Sequence, residues 1–307
     1  MGGGRLGLVS RRTLITGCTA LAAAAQEPPT FRVDVKLVRM LATVKNMQGQ
    51  MVGGLKKEDF IVLDNGVEQE VTLFERNTAQ PLSVAMLVDR SRSTQREKNY
   101  ELEAVQRFFK ALFREGNPKD STALYSFNYE VALMSEYTRN MGKLSSALGR
   151  LRSEGATALY DAIYLAAEDQ ERREGRRVVV VVSDGGDTIS KIRFEKALEA
   201  LHKVNAVMYA VLIVPVAGDA GRNLRGENAL TTLTQWTGGQ IFFPALGASL
   251  DEAFDTILRD LRTQYLIGYY PRNTETPKDR FHRVSVRVRQ PGHSVSARNG
   301  YFSDALP

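Results

Sequence analysis

Residues 82–93 read LSVAMLVDRSRS, an apolar run that ends in a carboxylate and alternating hydroxyl side chains. A continuous apolar run between polar residues is typical of a strand that is buried on both faces of a parallel sheet. A second such run, RVVVVVS at residues 177–183, also leads into a carboxylate, Asp184. Across residues 81–263, apolar stretches alternate with helical periodicity. This alternation predicts an α/β domain with a doubly wound, mostly parallel sheet.

The segments on either side of this domain have the period of β-strands. Residues 31–45 alternate apolar and polar side chains. Asp64-Asn65-Gly66 is a strong hairpin signal between two predicted short strands, residues 60–63 and 70–74. Alternating valines return at residues 284–288. Neither flank contains enough strand to bury a face by itself. We therefore expect the two flanks, residues 26–80 and 264–307, to pack together as a small β-sandwich into which the α/β domain is inserted.

Composition and charge exclude several classes of protein. The 307 residues are 43% hydrophobic and 25% charged, which is ordinary for a globular chain and excludes collagen, coiled coils and long disordered chains. The net charge of +6 lies in the first 25 residues and the C-terminal flank, not in a basic stripe with aromatic residues. We therefore expect no nucleic-acid partner. Cys18 is the only cysteine, which excludes an intrachain disulfide and a cysteine-based zinc site.

Residues 1–25 are interpreted as an export signal. Arg11 and Arg12 precede a short apolar run that ends in Ala23-Ala24-Ala25, which fits a cleavage site. The run is too short to span a bilayer, so we expect no transmembrane segment in the mature chain. The mature protein is then extracytoplasmic, periplasmic or secreted, through the twin-arginine or the general secretory route. Lipidation of Cys18 is a less favoured alternative.

Oxygen-bearing side chains gather where the predicted buried strands end. Asp89, Ser91 and Ser93 occupy alternate positions of the loop after the first strand, so they can turn inward together. Thr157 opens a predicted helix, and Asp184 follows the second buried strand. Ligands of open α/β sheets bind outside the carboxyl ends of the strands. Because hydroxyl and carboxylate oxygens suit hard cations, these five residues predict a site for Mg²⁺ or Mn²⁺.

Three motifs follow one another in an informative order. D-x-S-x-S at residues 89–93, G-x-T-x-L at residues 155–159 and V-V-V-V-S-D-G at residues 179–185 resemble the metal-ion-dependent adhesion site of von Willebrand factor A domains. The flanks, with Asp64-Asn65-Gly66 and the Tyr265–Pro271 motif YLIGYYP, are similar to a VWFA-related family known from acidobacteria.

This resemblance implies a role for each candidate ligand. Ser91, Ser93 and Thr157 would be hydroxyl ligands, and Asp89 and Asp184 would act directly or through water. The family's chemistry implies a non-enzymatic adhesion module, in which a protein partner supplies an acidic residue to the open position of the metal. We therefore expect a metal-dependent protein-binding module and no enzymatic activity.

Arginines near the predicted site depart from the family pattern. Arg90 and Arg92 lie in the first metal loop, and Arg92 occupies a position where such loops usually have glycine or another small residue. Arg222 and Arg225 lie in the Gly-rich stretch of residues 217–228, which follows another predicted strand. We interpret these four arginines as a basic rim that attracts an acidic partner and makes its association salt-dependent.

Two other functions remain open at this point. The same metal could serve an envelope hydrolase as a Lewis acid. Against this, His202, His282 and His293 all lie outside the predicted strand-end loops, so no Ser–His–Asp arrangement is indicated. Alternatively, the chain is a structural or assembly component whose A domain is a scaffold without bound metal. Neither the partner's identity nor the oligomeric state follows from the sequence.

Overall fold

The computed structural model describes Met1 and residues 37–76, 79–91, 98–152, 155–213, 223–245 and 248–304. The predicted export signal lies outside the described residues.

The described part of the chain from residue 37 to residue 304 begins and ends in β-structure. The first strands are β1 (Val38–Lys45), β2 (Phe60–Asp64), β3 (Val67–Gln69) and β4 (Val71–Arg76). The middle alternates β5 (Leu82–Asp89), α1 (Lys98–Glu115), β6 (Ser121–Phe127), β7 (Val131–Thr138), α2 (Met141–Gly149), α3 (Leu159–Asp169), β8 (Arg176–Ser183), α4 (Phe194–Lys203), β9 (Val207–Leu212), α5 (Leu224–Thr237), β10 (Ile241–Phe242) and α6 (Ala248–Thr263). The last strands are β11 (Tyr265–Tyr269), β12 (Phe281–Val288), β13 (Ser294–Ala297) and β14 (Gly300–Phe302).

The central sheet has six strands in the order β10-β9-β8-β5-β6-β7. All neighbouring pairs are parallel except β6 and β7. Every residue of β5 is buried, because helices cover both faces of the sheet. Val84 and Met86 belong to the apolar cluster that includes α1, α2 and α6, and Leu87 belongs to the cluster that includes α3, α4 and α5. The predicted doubly wound, mostly parallel sheet is therefore confirmed.

Two further sheets each combine strands from both ends of the chain. Their orders are β13-β1-β11-β4 and β14-β12-β2-β3, and all their pairings are antiparallel. Phe60 and Phe74 pack against the ring of Tyr265, with ring centres 5.1 and 5.7 Å from it. The predicted β-sandwich of the two terminal segments is thus present, with the α/β domain inserted between them.

The predicted hairpin turn at Asp64-Asn65-Gly66 is present, but the second strand of the hairpin is not the expected one. Asn65 and Gly66 both have positive φ, 48° and 85°, as a type I′ turn requires. The turn joins β2 to the short strand β3, which ends at Gln69. The stretch that we expected to be the partner, residues 70–74, forms most of β4 instead and pairs with β11 in the other sheet.

A buried carboxylate connects the two ends of the chain. Asp64, the last residue of β2, accepts hydrogen bonds from the hydroxyls of Tyr269, at 2.9 Å, and Tyr301, at 2.8 Å. Its other oxygen lies 3.0 Å from Nδ1 of His282. All four side chains are buried, and burial raises the pKa of both tyrosines well above the ordinary value. This group, the Asp64 cluster, ties the N-terminal flank to the C-terminal one.

Buried His202 makes the stability of the fold dependent on pH. Its Nε2 lies 3.0 Å from the carbonyl oxygen of Trp236, and its ring stacks on Phe281. Burial, together with the nearby charge of Arg298, lowers the pKa of His202 to about 4, although the Trp236 carbonyl acts in the opposite direction. The unfolded chain therefore takes up a proton near pH 6.5 that the native chain does not accept until about pH 4.

We expect the free energy of unfolding to decrease as the pH falls from 6.5 towards 4. Each pKa unit of difference corresponds to about 1.4 kcal/mol, so this histidine removes about 2 to 3 kcal/mol by pH 4.5. Urea unfolding at pH 7 and pH 4.5 measures the loss of unfolding free energy between the two pH values. This loss should be about 2 to 3 kcal/mol smaller in His202→Gln than in wild type. The partly exposed His293→Gln serves as control. An equal loss in wild type and His202→Gln would contradict the expectation.

Candidate functional site

The carboxyl ends of β5 and β8 lie side by side in the central sheet. The two strands are parallel, with Val88 opposite Val182, so Asp89 and Asp184 follow at the same edge. Asp89 is fully buried. One of its oxygens accepts the backbone N–H of Ser91, at 2.8 Å, and the other accepts the hydroxyl of Ser183, at 2.6 Å. These two hydrogen bonds fix the orientation of the carboxylate.

The electrostatic surroundings of Asp89 suit a cation. Burial is the largest effect and raises the pKa of Asp89 to about 6, and the charge of Asp184 acts in the same direction. The hydrogen bonds from Ser183 and Ser91 lower it. A carboxylate that is dehydrated and lies near a second carboxylate is stabilised by a positive ion between them. The charges at this edge therefore fit a divalent cation.

The loop after β8 leaves a small space beside Asp184. A Cβ atom on Gly186 would lie 3.1 Å from a carboxylate oxygen of Asp184, 3.7 Å from Nδ2 of Asn223 and 3.9 Å from the hydroxyl oxygen of Thr157. Three polar atoms from three separate segments thus surround one point, and a side chain at position 186 would fill it. Gly185 precedes it with a φ of 85°, a left-handed conformation that favours glycine.

Thr157 reaches the site from the segment before α3. Its backbone N–H donates to the hydroxyl of Thr188, at 2.9 Å, and its carbonyl accepts the N–H of Thr188, at 2.8 Å. The expectation that Thr157 itself opens a helix is wrong, because α3 begins at Leu159. Asp187, from the loop after β8, accepts the N–H of Leu159 at 2.9 Å and caps the helix from outside.

Four of the five predicted ligands are described, and they lie at this edge: Asp89, Ser91, Thr157 and Asp184. Ser93 lies outside the described residues. Within the described part of the chain, no three His, Cys, Asp or Glu side chains group closely enough to hold a metal ion. An ion at this edge would therefore take a mixture of carboxylate and hydroxyl oxygens, a donor set that fits Mg²⁺ or Mn²⁺.

The predicted basic rim needs a correction at Arg90. Its side chain is fully buried and faces the equally buried Glu101 of α1, with Nη1 and Oε2 3.8 Å apart. Arg90 continues the sheet, because its N–H donates to the carbonyl of Phe127 at 2.8 Å. Its guanidinium thus points into the protein and does not belong to a surface rim. Arg225 is exposed in the first turn of α5, and Arg92 and Arg222 lie outside the described residues.

Exposed apolar side chains at the same edge were missed at the sequence level. Tyr129 follows β6 and packs beside Gly155, Ile189 donates its N–H to the Thr157 carbonyl at 3.2 Å, and Leu224 opens α5. All three are exposed, at 52%, 44% and 62%. A single apolar residue in a loop forms no repeating pattern in the sequence. Its position beside a site is therefore known only once the fold is known.

Comparisons with known proteins place this domain in a family. Residues 84–186 match the model of the von Willebrand factor type A domain. No curated protein matches the chain. No helix among the described residues has both the length and the apolar character needed to cross a membrane.

The solved structures that are similar to this chain share little sequence with it. A von Willebrand factor type A protein from Catenulispora acidiphila is 11% identical, with a TM-score of 0.51 over 89% of this chain and 76% of that one. BatB from Bacteroides thetaiotaomicron is 15% identical, with a TM-score of 0.48 over 59% of this chain and 98% of that one. The vWF domain of the type V pili tip protein Mfa5 from Porphyromonas gingivalis is 15% identical, with a TM-score of 0.47 over 59% of this chain and 95% of that one. The sequence match and the predicted motifs agree, and the chain contains a von Willebrand factor A domain.

Proposed function

We propose that the chain is an exported adhesion module that binds a protein partner through a divalent cation, Mg²⁺ or Mn²⁺. The cation would lie at the carboxyl edge of the central sheet, and a carboxylate of the partner would complete its coordination. One observation carries the proposal: Asp184 and Thr157 surround a space that Gly186 keeps open, and buried Asp89 lies at the same edge. Export rests on the sequence of residues 1–25.

The residues around the site would hold the ion in a fixed geometry. The hydrogen bonds from the Ser91 N–H and the Ser183 hydroxyl already orient the carboxylate of Asp89, which would act on the ion directly or through a water. The hydroxyls of Ser91 and Thr157 would add neutral oxygens. The resemblance to von Willebrand factor A domains assigns the same role to Ser93. The two carboxylates would balance the charge of the divalent ion, and a coordination position that the chain leaves open would accept an acidic group of the partner.

The surface around the site suits a protein partner. Tyr129, Ile189 and Leu224 expose apolar area beside the candidate ligands, and Arg225 adds one positive charge. Protein interfaces typically combine such an apolar centre with a polar rim. A partner that fits would present an acidic side chain among apolar ones. Of the four arginines predicted to form a basic rim, only Arg90 is excluded by its burial, and Arg92 and Arg222 lie outside the described residues.

A hydrolase needs a general base beside the ion. At this edge the proposal assigns Asp89 and Asp184 to the ion. Asp187 in the loop after β8 already accepts the N–H of Leu159 and the hydroxyl of Ser190. Adhesion is therefore the function that these contacts favour.

The proposal is tested with the mature full-length chain, first by calorimetry with Mn²⁺ and then by capture of envelope proteins on the immobilised chain. Thr157→Val removes one candidate ligand and keeps the shape of the side chain. We expect this variant to bind Mn²⁺ at least about tenfold more weakly. It should also capture less protein in Mg²⁺, and wild type should lose the same proteins in EDTA.

Thr256→Val, on the exposed side of α6, is the matched control and should behave as wild type. Equal Mn²⁺ affinity in Thr157→Val and wild type would refute the site. Identical capture in Mg²⁺ and EDTA would favour the scaffold function instead.

A further inference from the structure

A cleft of about 640 Å³ lies at the opposite edge of the central sheet, where the parallel strands begin. Pro81 precedes β5, Arg176 begins β8 and Asn205 precedes β9, and all three line the cleft. Its other wall belongs to the β-sandwich, with Arg39 of β1 and Arg298 between β13 and β14. This size is typical of sites for small molecules. The insertion of one domain into the other therefore creates a cavity that neither part has alone.

Arg298 is the most informative residue of the cleft. It is only 6% exposed, and its guanidinium carbon lies 5.7 Å from the centre of the Tyr301 ring. Within the described part of the chain it has no carboxylate partner, and its Nε donates no hydrogen bond. Burial lowers the pKa of Arg298 to about 10, which leaves it charged at neutral pH. A buried charge without a counter-ion destabilises the fold, unless a ligand supplies the opposite charge.

Other cations share the cleft with Arg298. Arg176 is almost fully buried, and one of its Nη atoms donates to the carbonyl of Leu261. Its Nε also donates no hydrogen bond to the residues that the structure describes. Arg39 and Lys119 are exposed at the margins. Among the lining residues, basic side chains outnumber acidic ones by seven to two. The lining therefore carries a net positive charge, even though Lys203 pairs with Glu199 at 2.9 Å.

We infer that this cleft binds an oxyanion, the phosphate or carboxylate group of a small molecule, and that Arg298 is its central contact. A planar guanidinium matches two oxygens of such a group with two parallel hydrogen bonds. Leu37, Leu266 and Phe302 also line the cleft and would cover an apolar part of the same ligand. Because the cleft lies at the opposite edge from the candidate metal site, binding should not require a divalent cation.

The experiment uses the mature full-length chain in EDTA. Calorimetry measures binding of sodium phosphate and of sodium citrate, against sodium chloride at equal ionic strength. Arg298→Met removes the charge and keeps the length of the side chain, and we expect affinity to fall about 10- to 100-fold. Arg39→Met should weaken binding several-fold. Arg287→Gln removes an exposed charge on β12, away from the cleft, and should bind as wild type.

Thermal unfolding separates a ligand site from a purely structural arginine. Without anion, Arg298→Met should melt at the same temperature as wild type or higher, because it removes a buried charge that lacks a counter-ion. With anion, wild type should gain stability and the variant should not. A preference for phosphate or for citrate identifies the chemical group, and either preference supports the site.

Three results would overturn the inference. The first is that wild type binds neither anion more tightly than chloride. The second is that Arg298→Met binds as tightly as wild type. If Arg298→Met fails to fold, Arg39→Met tests the inference instead, because this exposed residue is not needed for the core. The third result that would overturn the inference is an unchanged anion affinity in Arg39→Met.

Discussion

Asp89→Asn should abolish Mg²⁺ and Mn²⁺ binding while the chain stays folded. The amide keeps the size of the side chain and one oxygen acceptor, but it removes the negative charge at the centre of the site. Outer partners of a metal site typically contribute 10- to 100-fold in affinity, so we expect the loss of this group to exceed about 100-fold. Calorimetry with Mn²⁺ measures the affinity, and thermal unfolding in EDTA measures the fold.

Asp169→Asn is the matched control for this variant. Asp169 is also a carboxylate that accepts a hydroxyl, that of Tyr125, but it ends α3 far from the start of that helix, where Thr157 lies. The control should bind Mn²⁺ as wild type. If Asp89→Asn binds Mn²⁺ with wild-type affinity, the proposed metal site is wrong, whatever partner the chain binds.

Asp64→Ala should cause the largest loss of stability among the single substitutions considered. The side chain is completely buried and is bonded to Tyr269, Tyr301 and His282. Its removal leaves these polar groups buried without their acceptor, and breaking such a group typically costs about 3 to 5 kcal/mol. Asp64→Asn, which keeps one acceptor oxygen, should lose less.

Urea unfolding measures this loss, with Asp279→Ala as control. Asp279 is exposed and accepts only the N–H of Phe281, at 3.2 Å, among the residues described, so its removal should cost less than about 1 kcal/mol. Equal stability of Asp64→Ala and Asp279→Ala would show that the Asp64 cluster does not hold the two ends of the chain together.

Much of the fold could be predicted because its strongest signals are local. The continuous apolar runs at residues 82–88 and 177–183 permit little besides strands buried on both faces, and they form β5 and β8. The limits of the flank strands were harder to predict, because the partner of each strand lies at the other end of the sequence. Tyr269 was visible as part of the YLIGYYP motif, but nothing in the spacing of Tyr269 and Tyr301 indicates that both donate to Asp64.

In the candidate site, too, local patterns could be predicted from the sequence, whereas contacts between distant segments could not. Parallel strands end at one edge, so Asp89 and Asp184 could be placed together from sequence alone. The direction of the Arg90 side chain could not be predicted, because it depends on Glu101, which α1 brings against the end of β5. Asp187 was missed as a helix cap for a similar reason: a cap from a different loop has no local capping pattern.

The pairing of the two terminal segments has a consequence for synthesis. Among the described strands of the N-terminal flank, β2 and β3 pair with each other, whereas β1 and β4 find their neighbours in β11 and β13. At about 5 to 20 residues per second, the roughly 190 residues between β4 and β11 take about 10 to 40 seconds to emerge. During that interval β1 and β4 have unpaired edges, which are templates for aggregation. A nascent chain of this design depends on rapid completion, or on a chaperone that covers its first strands until the last ones arrive.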